Sequence, residues 1–234
     1  MSVAVSGRRM LSRELILEAA MRVADTDSVR ALTMSRLGRE LDADPTAMYR
    51  HFRNKDELLL AMADVMLSEA AANVVPGRDV ADTLRDVSWA MREAYLRRPA
   101  LACEVAARFT GGQAETQLVD VMLDSIKATG LEHYAAVWLV RALAEMVLGH
   151  VLMSAKMLTL TEQQQRFDLE VGLRVYAEPS DPRPLAPLEL RLRNTREDCD
   201  EVFNGMLETF LAGLRITVGG KSGRDAGKSV PARS

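Results

Sequence analysis

Apolar residues recur at every third or fourth position along most of the chain, and no stretch alternates strictly, so the pattern predicts helices and no sheet. Leu15, Ile16, Ala19, Ala20 and Val23 fall on one face of a helix that begins at Ser12, a good N-cap residue, and ends at Asp25-Thr26-Asp27-Ser28. The same spacing predicts short helices over 34–41 and 45–52 and a longer one over 55–73. Val75-Pro76-Gly77 then breaks the run, because proline lacks the N–H that a helix interior needs. Further helices are expected over 79–97, 100–109, 114–128, 132–158 and 196–216. Residues 161–195 read as a long loop crowded by Pro179, Pro182, Pro184 and Pro187, after a short helix over 162–175. From Gly219 onward Gly, Ser, Lys and Arg prevail, which predicts a disordered tail. The fold class is all-α.

Two of these helices carry unusually broad apolar surfaces. The 132–158 helix is apolar almost all round (Val137, Trp138, Leu139, Val140, Leu143, Met146, Val147), so it must be covered on more than one side. The 196–216 helix opens with Glu197, Asp198, Asp200 and Glu201, which suit a helix N-terminus. It continues with a broad stripe through Cys199, Phe203, Leu207, Phe210 and Leu214. Both stripes could belong to the core of one protomer, or two such helices from each of two subunits could form a four-helix interface.

Composition narrows the function. With 48% hydrophobic and 27% charged residues, the 234-residue chain is ordinary for a soluble globular protein. The net charge of −3 does not point to nucleic acid, but residues 1–55 hold ten Lys/Arg against seven Asp/Glu while the remainder carries −6, and a basic front end on an acidic body lends mild support to a DNA-binding head. The two cysteines, Cys103 and Cys199, sit in helical patterns without a CxxC pair and read as reduced core thiols. No N-terminal apolar run suits a signal peptide. Tyr134–Met153 is long enough to span a bilayer, but Arg141, Glu145 and His150 make spanning costly, so a cytoplasmic protein without a membrane partner is expected. His133 and His150 have no carboxylate or histidine at metal-ligand spacing, so neither a metal nor another cofactor is expected. With no Ser/His/Asp set and no glycine-rich phosphate loop, no enzyme is expected either.

The informative segment runs from Leu32 to Lys55. Thr33 caps a helix of about two turns in which Leu37 and Leu41 face inward, and Gly38 permits close approach of another helix. Asp42-Ala43 makes a tight turn, Asp44 is the next N-cap, and Pro45 takes the first helical position. Met48 and Phe52 then face the core, leaving Thr46, Ala47, Tyr49 and Arg50 outward. In a helix-turn-helix this N-terminal part of the second helix enters the major groove, where an arginine can bond a guanine edge twice. Thr33, Ser35, Tyr49, His51 and Lys55 surround it within reach of phosphates.

This segment, with its run Met48-Tyr49-Arg50-His51-Phe52-Arg53-Asn54-Lys55-Asp56-Glu57-Leu58-Leu59, resembles the TetR family from about Ser12 to Ala70. Two positions depart from the family pattern: Asp42 stands where a glycine is usual, and Asp27-Ser28 replaces a glycine-bearing turn. The resemblance implies a helix-turn-helix DNA-binding domain over 1–60, a helical effector-binding and dimerisation domain over 61–218, and the tail over 219–234. It implies a repressor that binds a palindromic DNA operator as a homodimer and is released by a small hydrophobic effector. A regulator controlled by a protein partner, or acting as an activator, is the alternative. At the matching family positions the effector site offers Val87, Met91, Arg108, Val137 and Arg141, with Trp138 nearby. Arg141 and Glu145 could equally be an ion pair or pocket groups. Val147-Leu148-Gly149-His150-Val151-Leu152 is similar to the tetracycline-repressor branch. The positions matching that branch's metal-binding residues are Ala71 and Met153, neither a ligand for a hard cation, so a tetracycline–magnesium complex is not the expected effector.

Overall fold

The computed structural model describes residues 11–26, 29–75, 79–176 and 196–225, and among these there are helices and no strands. The head comprises α1 (Arg13–Thr26), a 3-10 turn (Val29–Ala31), α2 (Met34–Glu40) and α3 (Pro45–Met48). Helix α4 (Lys55–Ala71) leads from the head into a body of α5 (Val80–Leu96), α6 (Pro99–Val105), α7 (Gln113–Lys127) and α8 (His133–Leu158). Helices α9 (Glu162–Tyr176) and α10 (Arg196–Asp225) follow. One apolar core runs from Ile16 in the head, through Leu58, Met62 and Met66 of α4, to Leu214 in α10. Residue 60 therefore lies inside a helix that the head and body share.

Several helix ends differ from the spacing-based expectation. The second helix of the helix-turn-helix closes at Met48, not 52, because the next N–H groups bond three residues back: Arg50 to the Ala47 carbonyl (3.2 Å) and His51 to that of Met48 (3.0 Å). This tightened turn still drives Phe52 into the core, where it is fully buried. Helix α6 ends at Val105 rather than 109, ahead of a turn in which Gly111 takes φ +65°. Helix α10 passes Gly219 and reaches Asp225, beyond the expected end at 216. Asp27-Ser28, Pro76-Gly77, the four loop prolines and residues 226–234 lie outside the described residues.

Helix α8 alone among the described residues is long and apolar enough to cross a membrane, and it packs against α5, α6, α7 and α10 within the body. Its buried stripe is Ala136, Val140, Leu143, Val147 and Val151. Trp138 and Met153, on the opposite face, are 69% and 64% exposed. In α10 the buried stripe is Phe203, Leu207, Leu211 and Leu214, whereas Val202, Met206 and Ile216 are exposed. Each helix thus spends one face on its own protomer and leaves a second apolar face uncovered.

Candidate nucleic-acid interface and cavity

Three side-chain caps shape the head. Thr33 accepts from the Arg36 N–H (3.0 Å), Asp44 from the Thr46 N–H (2.7 Å), and Asn54 from the Glu57 N–H (2.8 Å), satisfying orphan donors at the starts of α2, α3 and α4. The Thr46 hydroxyl also donates to Asp44 (2.7 Å), and these two bonds hold the Asp44 carboxyl below its ordinary pKa. Asp42 makes the turn with φ +47°, a left-handed conformation that aspartate tolerates better than most residues. Gly38 is needed for the close approach: a Cβ there would stand 2.8 Å from the Ala43 carbonyl oxygen and 3.2 Å from Pro45.

The nine residues expected at DNA lie on α2, α3, their caps, the turn that follows and the first position of α4. Thr33, Ser35, Pro45, Thr46, Tyr49 and Arg50 are exposed, while Ala47, His51 and Lys55 are half-buried. Tyr49 is 54% exposed, so it does not serve as packing between the two domains. Lys55 donates to the Val29 carbonyl (3.1 Å), which gives it a structural duty that its sequence position did not reveal. Arg13 is another residue the sequence reading missed. It donates to the His51 carbonyl (2.8 Å), pairs with Glu57 (3.3 Å) and lies 4.1 Å over the Phe52 ring, tying α1 to both ends of the turn that follows α3.

The body contains a cavity of about 520 Å³, mostly apolar, between α5, the α6–α7 segment, α7 and α8. Met91, Arg108, Val137 and Arg141 line it, as do Tyr95, Phe109, Glu115, Met122 and Glu145. Two expected residues do not. Val87 is fully buried in the core, and Trp138 points away from the body because one step of about 100° along α8 separates it from Val137. Arg141 and Glu145 are both an ion pair (2.9 Å) and part of the wall. Ala71 and Met153 do not line the cavity, and among the described residues no group of three His, Cys, Asp or Glu could hold a metal ion.

The cavity wall also holds α4. Arg108 donates to Asp56 (2.9 Å) in the first turn of α4, and this partner keeps the Asp56 carboxyl below its ordinary pKa. Further along α4, Asp64 accepts from the Glu115 N–H (3.2 Å) and the Thr110 hydroxyl (3.2 Å), capping the start of α7. Glu115 in turn accepts from the Gly111 N–H (2.8 Å). The segment from Arg108 to Glu115 thus touches the cavity on one side and grips α4 at two points. Arg98 adds a separate bridge, to Asp25 in α1 (2.9 Å) and Glu69 in α4 (3.5 Å).

A second polar cluster went unread in the sequence. Arg92 of α5 is fully buried, 2.6 Å from Asp200 and 3.3 Å from Glu93, with the Trp89 and Phe203 rings 5.3 and 5.2 Å away. The His150 ring of α8 lies tilted against Phe203 (centroids 5.1 Å, interplanar 39°). Burial and the Arg92 cation push the His150 pKa down to about 4, with Asp200 acting in the opposite direction. This cluster pins α10 to α5 and α8. Arg85 reinforces it with a 2.7 Å bond to Glu208.

Residues 16–62 match the family of bacterial regulatory proteins named for tetR, and residues 75–218 match the tetracyclin repressor-like C-terminal domain. The tetracycline repressor protein class G of Vibrio anguillarum is 27% identical over 211 residues, spanning 87% of this chain and 93% of that protein. The fold is similar to that of Streptomyces coelicolor ActR in complex with actinorhodin (TM-score 0.69, 22% identity, covering 89% of this chain and 99% of that one). It is also similar to BioQ bound to its double-stranded DNA operator (TM-score 0.57, 29% identity, covering 69% and 94%). With a helix-turn-helix head, an all-helical body and both family models matched across most of its length, the chain belongs to the TetR family of transcriptional regulators.

Proposed function

We propose that this protein is a ligand-responsive repressor that binds a palindromic operator as a homodimer and releases it when a small, largely apolar molecule enters the body cavity. The observation that carries this reading is the shared wall: Arg108 lines the cavity and is bonded to Asp56 in the first turn of α4. A molecule that displaces the 108–115 segment acts on α4, and α4 begins directly after the DNA-facing turn. Arg50 is the base-reading side chain, with Thr33, Ser35, Pro45, Thr46, Ala47, Tyr49, His51 and Lys55 around it at the duplex. Met91, Arg108, Val137 and Arg141 belong to the effector site. The uncovered apolar faces of α8 and α10 are the dimer interface, which makes the operator two-fold symmetric. An effector that prefers the DNA-free arrangement weakens DNA binding by the factor by which DNA weakens effector binding.

The test is footprinting of the purified protein on the DNA upstream of its own gene, combined with sedimentation. A symmetric footprint from a dimer supports the reading. The interface variant is Met206→Glu, because Met206 faces outward whereas Phe203 is buried within its own protomer. It should give monomers with most operator affinity lost. A wild-type monomer at micromolar concentration contradicts the proposal.

A further inference from the structure

The cavity's polar inventory specifies what kind of molecule it takes. Its four charged lining residues, Arg108, Arg141, Glu115 and Glu145, sum to zero. Each is already engaged: Arg108 with Asp56 (2.9 Å), Arg141 with Glu145 (2.9 Å), and Glu115 with the Gly111 N–H (2.8 Å) and the Thr110 hydroxyl (3.1 Å). An anionic effector would bring a further negative charge beside Glu115 and Glu145, and a cationic one a further positive charge beside Arg108 and Arg141; with a lining of zero net charge, neither gains attraction to offset the loss of its water shell.

Tyr95 is different. It lines the cavity, is only 2% exposed, and its hydroxyl has no hydrogen-bond partner among the described residues. The hydroxyl is not among the side-chain atoms sealed from solvent without a partner, so it keeps accessible surface and is available to whatever occupies the space. Burial and the nearby Glu115 and Asp64 carboxylates push the Tyr95 pKa up, so the phenol stays neutral and keeps its proton to donate.

Resting on the effector-cavity reading, we infer that the effector is an uncharged, largely apolar molecule carrying a carbonyl or comparable oxygen that accepts a hydrogen bond from the Tyr95 hydroxyl. Tyr95 is then a specificity-determining residue: the apolar wall supplies affinity for any ring system that fits, and the phenol selects the oxygenated one. A site built to bond an oxygen leaves its own donor unpaired when that oxygen is missing, which is how discrimination arises.

Three probes of one shape test this: fluorenone, fluorene and fluorenecarboxylate, each titrated into the full-length protein by calorimetry. Wild type should bind fluorenone about two- to tenfold more tightly than fluorene, the range one neutral hydrogen bond supplies. Fluorenecarboxylate should bind more weakly than both. Tyr95→Phe, which removes only the hydroxyl, should equalise fluorenone and fluorene without weakening fluorene, and its unchanged melting temperature would show that the fold is intact. Tightest binding of fluorenecarboxylate, or a fluorenone preference that survives in Tyr95→Phe, overturns the inference and leaves the cavity reading standing. Failure of all three to bind wild type contradicts the cavity reading itself.

Discussion

Replacing Asp200 with Asn strands a guanidinium inside the protein. Arg92 is fully buried, its Nε has no partner, and its closest counter-charge is the Asp200 carboxylate at 2.6 Å. Breaking a fully buried ion pair by removing one partner costs about 3–5 kcal/mol. Two features lower that figure here. The Asp200 side chain is 38% exposed, so water reaches the site from one side, and Glu93 remains 3.3 Å from Arg92. The expected loss is therefore about 2–3 kcal/mol, which at about 2–4 °C per kcal/mol lowers Tm by about 4–12 °C. Urea denaturation followed by circular dichroism, at one fixed protein concentration so that association does not shift the curve, measures it. The double variant Arg92→Met with Asp200→Leu should recover most of the loss, because an apolar pair of similar volume carries no desolvation penalty. A loss below about 0.5 kcal/mol in Asp200→Asn, or a double variant as unstable as the single, would refute the reasoning.

Three further outcomes follow from the same geometry. His150 is held neutral in the folded protein, with a pKa near 4 against 6.5 when unfolded, so stability is full above pH 6.5 and falls as pH drops from 6.5 to about 4. His150→Gln should flatten that part of the stability profile, and because the ring is only half-buried the difference should be about 1–2 kcal/mol; an unchanged slope speaks against it. Gly38→Ala places a methyl 2.8 Å from the Ala43 carbonyl, so it should cost about 1–3 kcal/mol in denaturant titration and weaken DNA binding by skewing α2 against α3. At Asp42 (φ +47°), Val should cost about 1–2 kcal/mol while Gly should be neutral or slightly stabilising; equal Tm values for the two would show that the turn is not strained.

The head was legible because its determinants are local. Thr33, Asp44, Pro45 and Gly38 each act within a few residues of their own position, and the structure gives each the cap, first-turn position or close approach that its chemistry requires. Helix ends were less legible: Pro45 marks the start of α3, but nothing in the sequence announces that the Arg50 and His51 bonds tighten to three-residue spacing. The body is a matter of which face meets which. Val137 and Trp138 are neighbours in sequence, and only the direction in which α8 packs sends one to the cavity and the other outward. Val87 has the right polarity for a cavity wall and is used as core instead. Arg92 looked like any polar position of an amphipathic helix, since its partner Asp200 is 108 residues away and itself read as an ordinary N-terminal helix acid. Tyr95 gave no signal at all, because an unpartnered hydroxyl is a property of its surroundings.

The central claim, a two-fold symmetric DNA reader whose base contact is Arg50, is tested most directly by selecting bound duplexes from a randomised library and repeating the selection with Arg50→Ala. Wild type should enrich a palindrome. Arg50→Ala should lose preference at one base pair in each half-site and bind the wild-type operator about 1–3 kcal/mol more weakly, the worth of one bidentate arginine–guanine contact. A selection without symmetry, or an Arg50→Ala consensus identical to that of wild type, would contradict the account.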